Sequence, residues 1–185
     1  FVMFTKNTSL IIPTRNRVLF LKKLLTQLKY LKIHFKEILI IDSSDIEHKN
    51  DIGKICKFFK CKLYNSKSSI SIQRNLGLKK RKKQSKYVMF MDDDIFFKKK
   101  AFINMDRTIK RYDKSNFNIL GYGFNQNKRI NKNFIEILKQ SKFSQIFGLY
   151  SDKSGVVMSS GWQTKILNLQ KDIFTDWIHT GAVVF

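Results

Sequence analysis

Lys86-Tyr87-Val88-Met89-Phe90-Met91-Asp92-Asp93-Asp94 is an apolar run of strand length that stops at three adjacent carboxylates. A continuous apolar run of this kind reads as a strand buried on both faces of an α/β sheet. Ligands of such sheets collect at the carboxyl ends of the strands. Neighbouring carboxylates repel one another unless water or a cation screens them. Hard divalent cations prefer oxygen donors, and Mg2+ commonly joins one or two protein carboxylates to substrate phosphates. The triplet therefore predicts a metal–phosphate site at the end of a central strand. An acidic triplet standing alone reads as a solvated turn. Against that stand the basic character of the rest of the chain and the core strand that leads directly into these acids.

Outward from this strand the chain alternates strands and helices. Thr8 to Ile12 is a short apolar run, expected to stop at Pro13. Val18 to Leu31 has helical periodicity, with Leu21, Leu24, Leu25, Leu28 and Leu31 on one face. Lys36 to Ile41 reads as a second strand ending at Asp42-Ser43-Ser44-Asp45, and a helix is expected from about Glu47 to Phe58. Lys62 to Tyr64 reads as a third strand and Ile72 to Lys82 as a helix. Beyond the triplet, Lys99 to Tyr112 reads as a helix and Phe117 to Tyr122 as a strand. Asn133 to Lys142 is expected to be helical, and Gly155 to Trp162 to form a strand and turn. Alternation of this kind predicts an α/β fold with a mainly parallel sheet flanked by helices. A length of 185 residues fits one domain, 1–185, with a proper core. The closing segment Gly181 to Phe185 reads like the middle of a strand, so truncation at the carboxyl end is expected.

The net charge of +22 invites a nucleic-acid or anionic-membrane reading. Lysine supplies 29 of the 36 basic residues and arginine only seven, although arginine is the usual residue for bidentate phosphate and base recognition. The chain is also rich in Ile, Asn and Phe, as AT-rich coding produces. No specific nucleic-acid partner is therefore expected. No apolar stretch reaches the length of a membrane span, and Phe1 to Leu10 does not read as a secretory leader. Cys56 and Cys61 lack the framework of a structural disulfide or a zinc site, and His34, His48 and His179 are scattered. Reduced thiols and a cytoplasmic location are expected.

Three strands end in polar clusters: Pro13 to Arg17, Asp42 to Asp45, and the triple aspartate. In a parallel sheet these ends share one edge and can converge. Pro13 would set a rigid turn. Thr14 and Asn16 offer hydrogen bonds beside a helix start, where free backbone N–H groups favour phosphate. Arg15 or Arg17 would pair with a diphosphate. Asp42 would accept hydrogen bonds from a base or ribose, or with Ser44 would cap the next helix. Residues i and i+2 of an extended chain share a side, which pairs Asp92 with Asp94.

Ser9-Leu10-Ile11-Ile12-Pro13-Thr14-Arg15-Asn16-Arg17, Ile40-Ile41-Asp42-Ser43-Ser44-Asp45, Arg74-Asn75-Leu76-Gly77 and Phe90-Met91-Asp92-Asp93-Asp94 together resemble a family 2 glycosyltransferase in order and spacing over about residues 8 to 95. Trp177 to Phe185 resembles the later acceptor-side segment of that family. The resemblance implies a GT-A (Rossmann-like) fold and an inverting, nucleotide-sugar-dependent enzyme. It implies that Pro13, Thr14, Asn16 and Arg17 line the nucleotide pocket and that Asp42 bonds the base, often uracil. Arg74 and Asn75 would support the nucleotide, with Gly77 allowing a close backbone approach. Asp92 would contact the ribose or the metal's shell, and Asp94 would bind Mn2+ or Mg2+ bridging the diphosphate. Which of Asp93 and Asp94 is the direct ligand stays open, with Asp93 otherwise on the nucleotide side. Trp177 and Gly181 would border the acceptor or donor sugar.

Two departures stand out. The family often carries two adjacent acids after the second strand, where this chain has Ser43. The family's general base, commonly in a Glu-Asp pair beyond the Trp…Gly segment, has no counterpart before Phe185, and Asp176 precedes the motif. No catalytic base is assigned. The expected partners are a nucleotide-sugar donor, with a UDP-sugar favoured, and a sugar or lipid-linked acceptor, with peripheral contact at the inner membrane surface. The alternatives are a metal-dependent sugar-phosphate nucleotidyltransferase, a basic nucleic-acid-binding module, or an inactive fragment that still binds nucleotide. A glycine-rich phosphate loop would favour the nucleotidyltransferase, and Pro13 to Arg17 contains no glycine.

Overall fold

The structure, a computed structural model, describes residues 3–115, 118–124, 153–158, 161, 163–164, 166, 171–176 and 178–185. The element order is α1 (Met3–Lys6), β1 (Thr8–Thr14), α2 (Val18–Tyr30), β2 (Glu37–Asp42), α3 (Ile46–Phe59), β3 (Lys62–Asn65), α4 (Ile70–Lys80), β4 (Tyr87–Met91), α5 (Lys99–Tyr112), β5 (Tyr122–Gly123) and β6 (Ala182–Val184). The chain divides into two compact units. One is Phe1–Tyr122 with Thr180–Phe185, and the other is Gly123–His179. The helix expected at 133–142 and Trp177 lie outside the described residues.

The sheet order is β3-β2-β1-β4-β6-β5. β1 pairs in parallel with β2 and β4, and β2 with β3, while β6 is antiparallel to β4. β1 and β4 are buried along their whole length, which is why their sequences are continuous apolar runs rather than alternating ones. Leu10, Ile11, Ile12, Leu39, Ile40, Ile41 and Met89 form the innermost layer. With this strand order, the right-handed rule for parallel crossovers puts α2 and α3 on one face and α4 on the other. α2 packs on α3, and α4 packs on β1 and β2.

β1 runs two residues further than expected. Pro13 stays in register with Ile41, and Thr14 with Asp42. The Thr14 carbonyl turns towards β2, where it accepts from the Ser43 N–H at 3.0 Å. Pro13 therefore turns its donor-less nitrogen to the other side, where the β4 ladder has already ended at Ile11–Phe90. The missing hydrogen bond falls where no partner is waiting. Gly77 is the point where α4 comes down on the sheet. A Cβ there would lie 2.4 Å from Cγ2 of Ile11, so the close approach is to β1.

At the amino-terminal edge of the sheet, Glu37 is a structural hub. Its Oε1 accepts from Ser9 Oγ at 2.6 Å and from the Lys82 N–H at 2.5 Å, and its Oε2 accepts from Lys62 Nζ at 2.8 Å. Burial alone would raise its pKa, but these donors hold it below the ordinary carboxylate value. Cys56 and Cys61 are free thiols, and burial pushes Cys56 up to about 12 and Cys61 up to about 11. No described helix is long and apolar enough to cross a membrane. Within the second unit, Val157 bridges to Gln163 and its N–H donates to Asp176 Oδ2 at 2.9 Å.

Candidate active site

The carboxyl ends of β1 and β4 open a cleft of about 640 Å³ lined by residues of four segments. Pro13, Thr14, Arg15 and Arg17 come from the end of β1 and the turn after it. Ile70, Gln73 and Arg74 come from α4, Asp92 to Asp94 follow β4, and Thr180 precedes β6. β1 feeds the chain towards β2 while β4 lies on its other side, so the cleft sits at a topological switch point of the sheet.

The turn between β1 and α2 depends on Asn16, which adopts φ +55°. Asn is among the few non-glycine residues that take this conformation readily. Its N–H donates to Ser44 Oγ at 2.7 Å, and its amide exchanges hydrogen bonds with Asp45. Arg15 donates to Ser68 Oγ and lies 3.9 Å from Asp45. The loops after β1, β2 and β3 are thereby tied together.

The three aspartates separate. An extended chain would place Asp92 and Asp94 on one side, but β4 ends at Met91 and the chain turns at Asp93 and Asp94. Asp92 pairs with Arg74, whose Nη2 lies 3.1 Å from Oδ1 and also donates to the Thr180 carbonyl at 3.2 Å. Asp93, whose side chain is only 5% exposed, accepts from Thr14 Oγ1 at 2.6 Å and from Arg17 Nη1 at 3.2 Å. Asp94 accepts from the same Arg17 nitrogen at 2.8 Å. Burial raises the pKa of both Asp92 and Asp93, with Arg74 opposing it at the first and Thr14 and Arg17 at the second. The guanidinium of Arg17 is held more firmly in its charged form, by Asp93 first and then Asp94. Three carboxylates thus share two guanidinium groups, while the third arginine of the lining, Arg15, is turned to Asp45 and Ser68.

Among the described residues no three acidic, histidine or cysteine side chains converge as a ready-made metal cage. The donor set nevertheless suits a hard cation that shares its shell with phosphate. Asp92 Oδ2 and Asp94 Oδ1 accept no hydrogen bond among the described residues, and their side chains are 36% and 44% exposed at the cleft. Two carboxylate oxygens plus substrate phosphate oxygens and water match the way Mg2+ is usually held.

Of the residues expected at the site, Pro13, Thr14, Arg17, Arg74, Asp92, Asp93 and Asp94 line the cleft. Asn16 instead braces the neighbouring loop, and Asn75 is exposed on α4 away from the lining. Asp42 is buried and is not among the residues that line the cleft. Its Oδ1 accepts from the Ser44 N–H at 2.9 Å and from Ser44 Oγ at 2.5 Å, and its Oδ2 has no partner among the described residues. The residue that starts α3 is Asp45, whose side chain serves Asn16 rather than capping the helix. Gly181 accepts the Asp92 N–H through its carbonyl at 2.8 Å, so it fixes the first aspartate through the backbone.

Ile70, Gln73 and Thr180 were not anticipated from the sequence. Gln73 carries a recoverable signal, because it lies four residues before the buried Gly77, on the inward face of α4. A glutamine on an inward face requires partners.

The profile of glycosyl transferase family 2 matches residues 9–167. The mannosyltransferase of Pyrobaculum calidifontis, solved with GDP-Man and Mn2+, superposes with a TM-score of 0.56 at 11% identity, covering 100% of this chain and 45% of that one. S. aureus TarS gives a TM-score of 0.46 at 20% identity over 57% of this chain and 20% of its own. The 4-diphosphocytidyl-2C-methyl-D-erythritol synthase of Anaerococcus prevotii gives 0.45 at 16% identity, over 56% of this chain and 51% of its own. The chain thus spans about half or less of the length of these proteins. No curated protein sequence matches it.

Proposed function

Because the chain belongs to glycosyl transferase family 2 and has the GT-A fold, we propose that it moves a sugar from a nucleotide-diphosphate donor to an acceptor hydroxyl, with a divalent metal and with inversion. The observation that carries this reading is the cluster of three aspartates and two arginines at the switch point, with carboxylate oxygens to spare. A diphosphate leaving group needs its developing negative charge stabilised. Arg17 and Arg74 both line the cleft and can turn towards that charge. Asp92 and Asp94 would hold Mn2+ or Mg2+, which when bound supplies Lewis-acid stabilisation of the diphosphate. Thr14 keeps Asp93 in place beneath Arg17. The mannosyltransferase that shares the fold holds a nucleotide-sugar and Mn2+, and ligands of the same class are proposed here, with a UDP-sugar favoured.

The proposed acceptor is a sugar or lipid-linked hydroxyl. A base near it would take the proton as the hydroxyl attacks the face opposite the leaving group. No described residue is assigned that part. The +22 charge supports peripheral contact with an anionic inner-membrane surface. Vesicle co-sedimentation that persists at high salt, or that ignores anionic lipid, would speak against that contact.

Calorimetry of UDP and GDP, with and without Mn2+, tests the donor site on this chain and on Asp94→Ala. Metal-dependent binding that drops about 100-fold in the variant is the expected result. A folded chain that binds neither nucleotide would overturn the reading. Turnover of a nucleoside triphosphate with a sugar phosphate would replace it with nucleotidyl transfer.

A further inference from the structure

Gln73 occupies a position in the cleft that none of the residues already assigned shares. It is 5% exposed, on the first turns of α4, and its Nε2 donates to two main-chain carbonyls, Thr14 at 2.9 Å and Ile41 at 2.7 Å. Those carbonyls belong to the ends of adjacent strands, so one amide ties β1 to β2 where the cleft begins. Both acceptors require N–H donors, and an amide rotated by 180° would set oxygen against oxygen. The orientation of the side chain is therefore fixed by chemistry. With both hydrogens of Nε2 committed, Oε1 remains an acceptor without a hydrogen bond among the described residues. That oxygen is not fully buried, and Gln73 lines the cleft.

A diphosphate offers only acceptors and would be repelled by this oxygen. The groups that suit it are the N–H of a base or the O–H of a ribose. Its surroundings agree with that assignment. Ile70, one turn earlier on the same helix, also lines the cleft and is 48% exposed, giving an apolar flank beside a lone acceptor. Arg74, the next residue along, reaches instead to Asp92 and Thr180. The carboxylates are thus confined to one side of the cleft. The end of β4 carries all three carboxylates of the lining, and the α4 side near β1 and β2 carries one uncharged acceptor and an aliphatic side chain, beside Arg15, which is turned to Ser68 and Asp45.

We propose that Ile70 and Gln73 form the nucleoside subsite of the cleft, with Gln73 Oε1 accepting a hydrogen bond from an N–H or O–H of the donor's nucleoside and so contributing to nucleotide selectivity. The proposal rests on the nucleotide-sugar reading above. In the same step Gln73 acts as a positioning residue for Thr14, whose hydroxyl holds Asp93.

Titration calorimetry with Mn2+ separates the two roles. The ligands are UDP, GDP, 3-methyluridine diphosphate, 2′-deoxy-UDP and inorganic pyrophosphate, and the proteins are wild type and Gln73→Met, each checked for its fold by circular dichroism. The proposal expects the better of UDP and GDP to lose about tenfold in affinity in the variant, with pyrophosphate changed less than twofold. It also expects at least one modified nucleotide to bind wild type about tenfold more weakly than UDP, and that difference to vanish in the variant. Equal weakening of UDP, GDP and pyrophosphate would mean a purely structural glutamine and overturn the proposal while leaving the donor site standing. No nucleotide binding by folded wild type would overturn both. Should Gln73→Met fail to fold, Gln73→Asn, which keeps an amide but withdraws it by one methylene, enters the same ligand series with the same expectations.

Discussion

The two edges of the same sheet hold carboxylates in opposite electrostatic states. At the amino-terminal edge, Glu37 accepts from Ser9, Lys82 and Lys62, and its pKa is held down. At the carboxyl edge, three aspartates share two arginines, and burial raises the pKa of Asp92 and Asp93. The first arrangement is closed and stabilises the fold. The second is left with two carboxylate oxygens uncommitted among the described residues, which suits the proposed cation and phosphate. Burial is common to both ends, so the difference lies in whether the donors supplied by the fold match the acceptors.

The largest stability effect should come from the closed end. Glu37→Ala leaves three donors facing a cavity and is expected to cost about 3 kcal/mol, read as a lower urea midpoint. Nucleotide affinity should stay unchanged, and a loss below about 1 kcal/mol would remove the distinction between the ends. The pH profile should carry the same mark. Because Glu37 titrates below its ordinary value of 4.5, its contribution is complete above that pH and is lost as pH falls through the folded pKa. The acid limb of the stability curve should flatten in Glu37→Ala.

The open end should respond with the opposite sign. Asp93 has a raised pKa, so its contribution is present below 3.8 and lost as pH rises through the folded value. Asp93→Asn is therefore expected to gain about 1 kcal/mol at pH 7, with the gain shrinking towards pH 4, in paired denaturant titrations. A loss of stability at pH 7 would show that the Arg17 pair outweighs burial. The smallest effect belongs to Asp94, which is well exposed. Asp94→Asn should move stability by less than about 0.5 kcal/mol while sharply weakening metal-dependent nucleotide binding. A large change in the thermal midpoint would make Asp94 a structural acid like Glu37.

Much of the first unit was legible in the chain because burial on two faces writes continuous apolar runs. Tyr87 to Met91 and Thr8 to Ile12 could hardly read otherwise, and α5 falls on the expected Lys99–Tyr112. The extension of β1 through Pro13 was not legible. It depends on β4 ending its ladder at Phe90, a fact about a distant partner. Of the strand expected over Phe117 to Tyr122, Phe117 lies outside the described residues, and among those described the strand is Tyr122–Gly123. Gly77 was legible as a close approach, but the surface it approaches, Ile11, was not.

By itself the sequence determined that three polar strand ends would meet at one edge of a parallel sheet, because strand polarity and crossover connections follow from local periodicity. It also carried the family, because Pro13 to Arg17, Arg74 to Gly77 and Asp92 to Asp94 stand in the expected order. Only the tertiary structure decided that Asp92 belongs to Arg74 while Asp93 and Asp94 share Arg17, that Asp42 is buried outside the lining of the cleft, and that Gln73 is part of it. Those outcomes turn on a bend of the chain at Asp93 and on partners up to 79 residues apart. Local pattern fixes where a backbone goes. Which buried oxygen meets which distant donor depends on the positions of all the elements together.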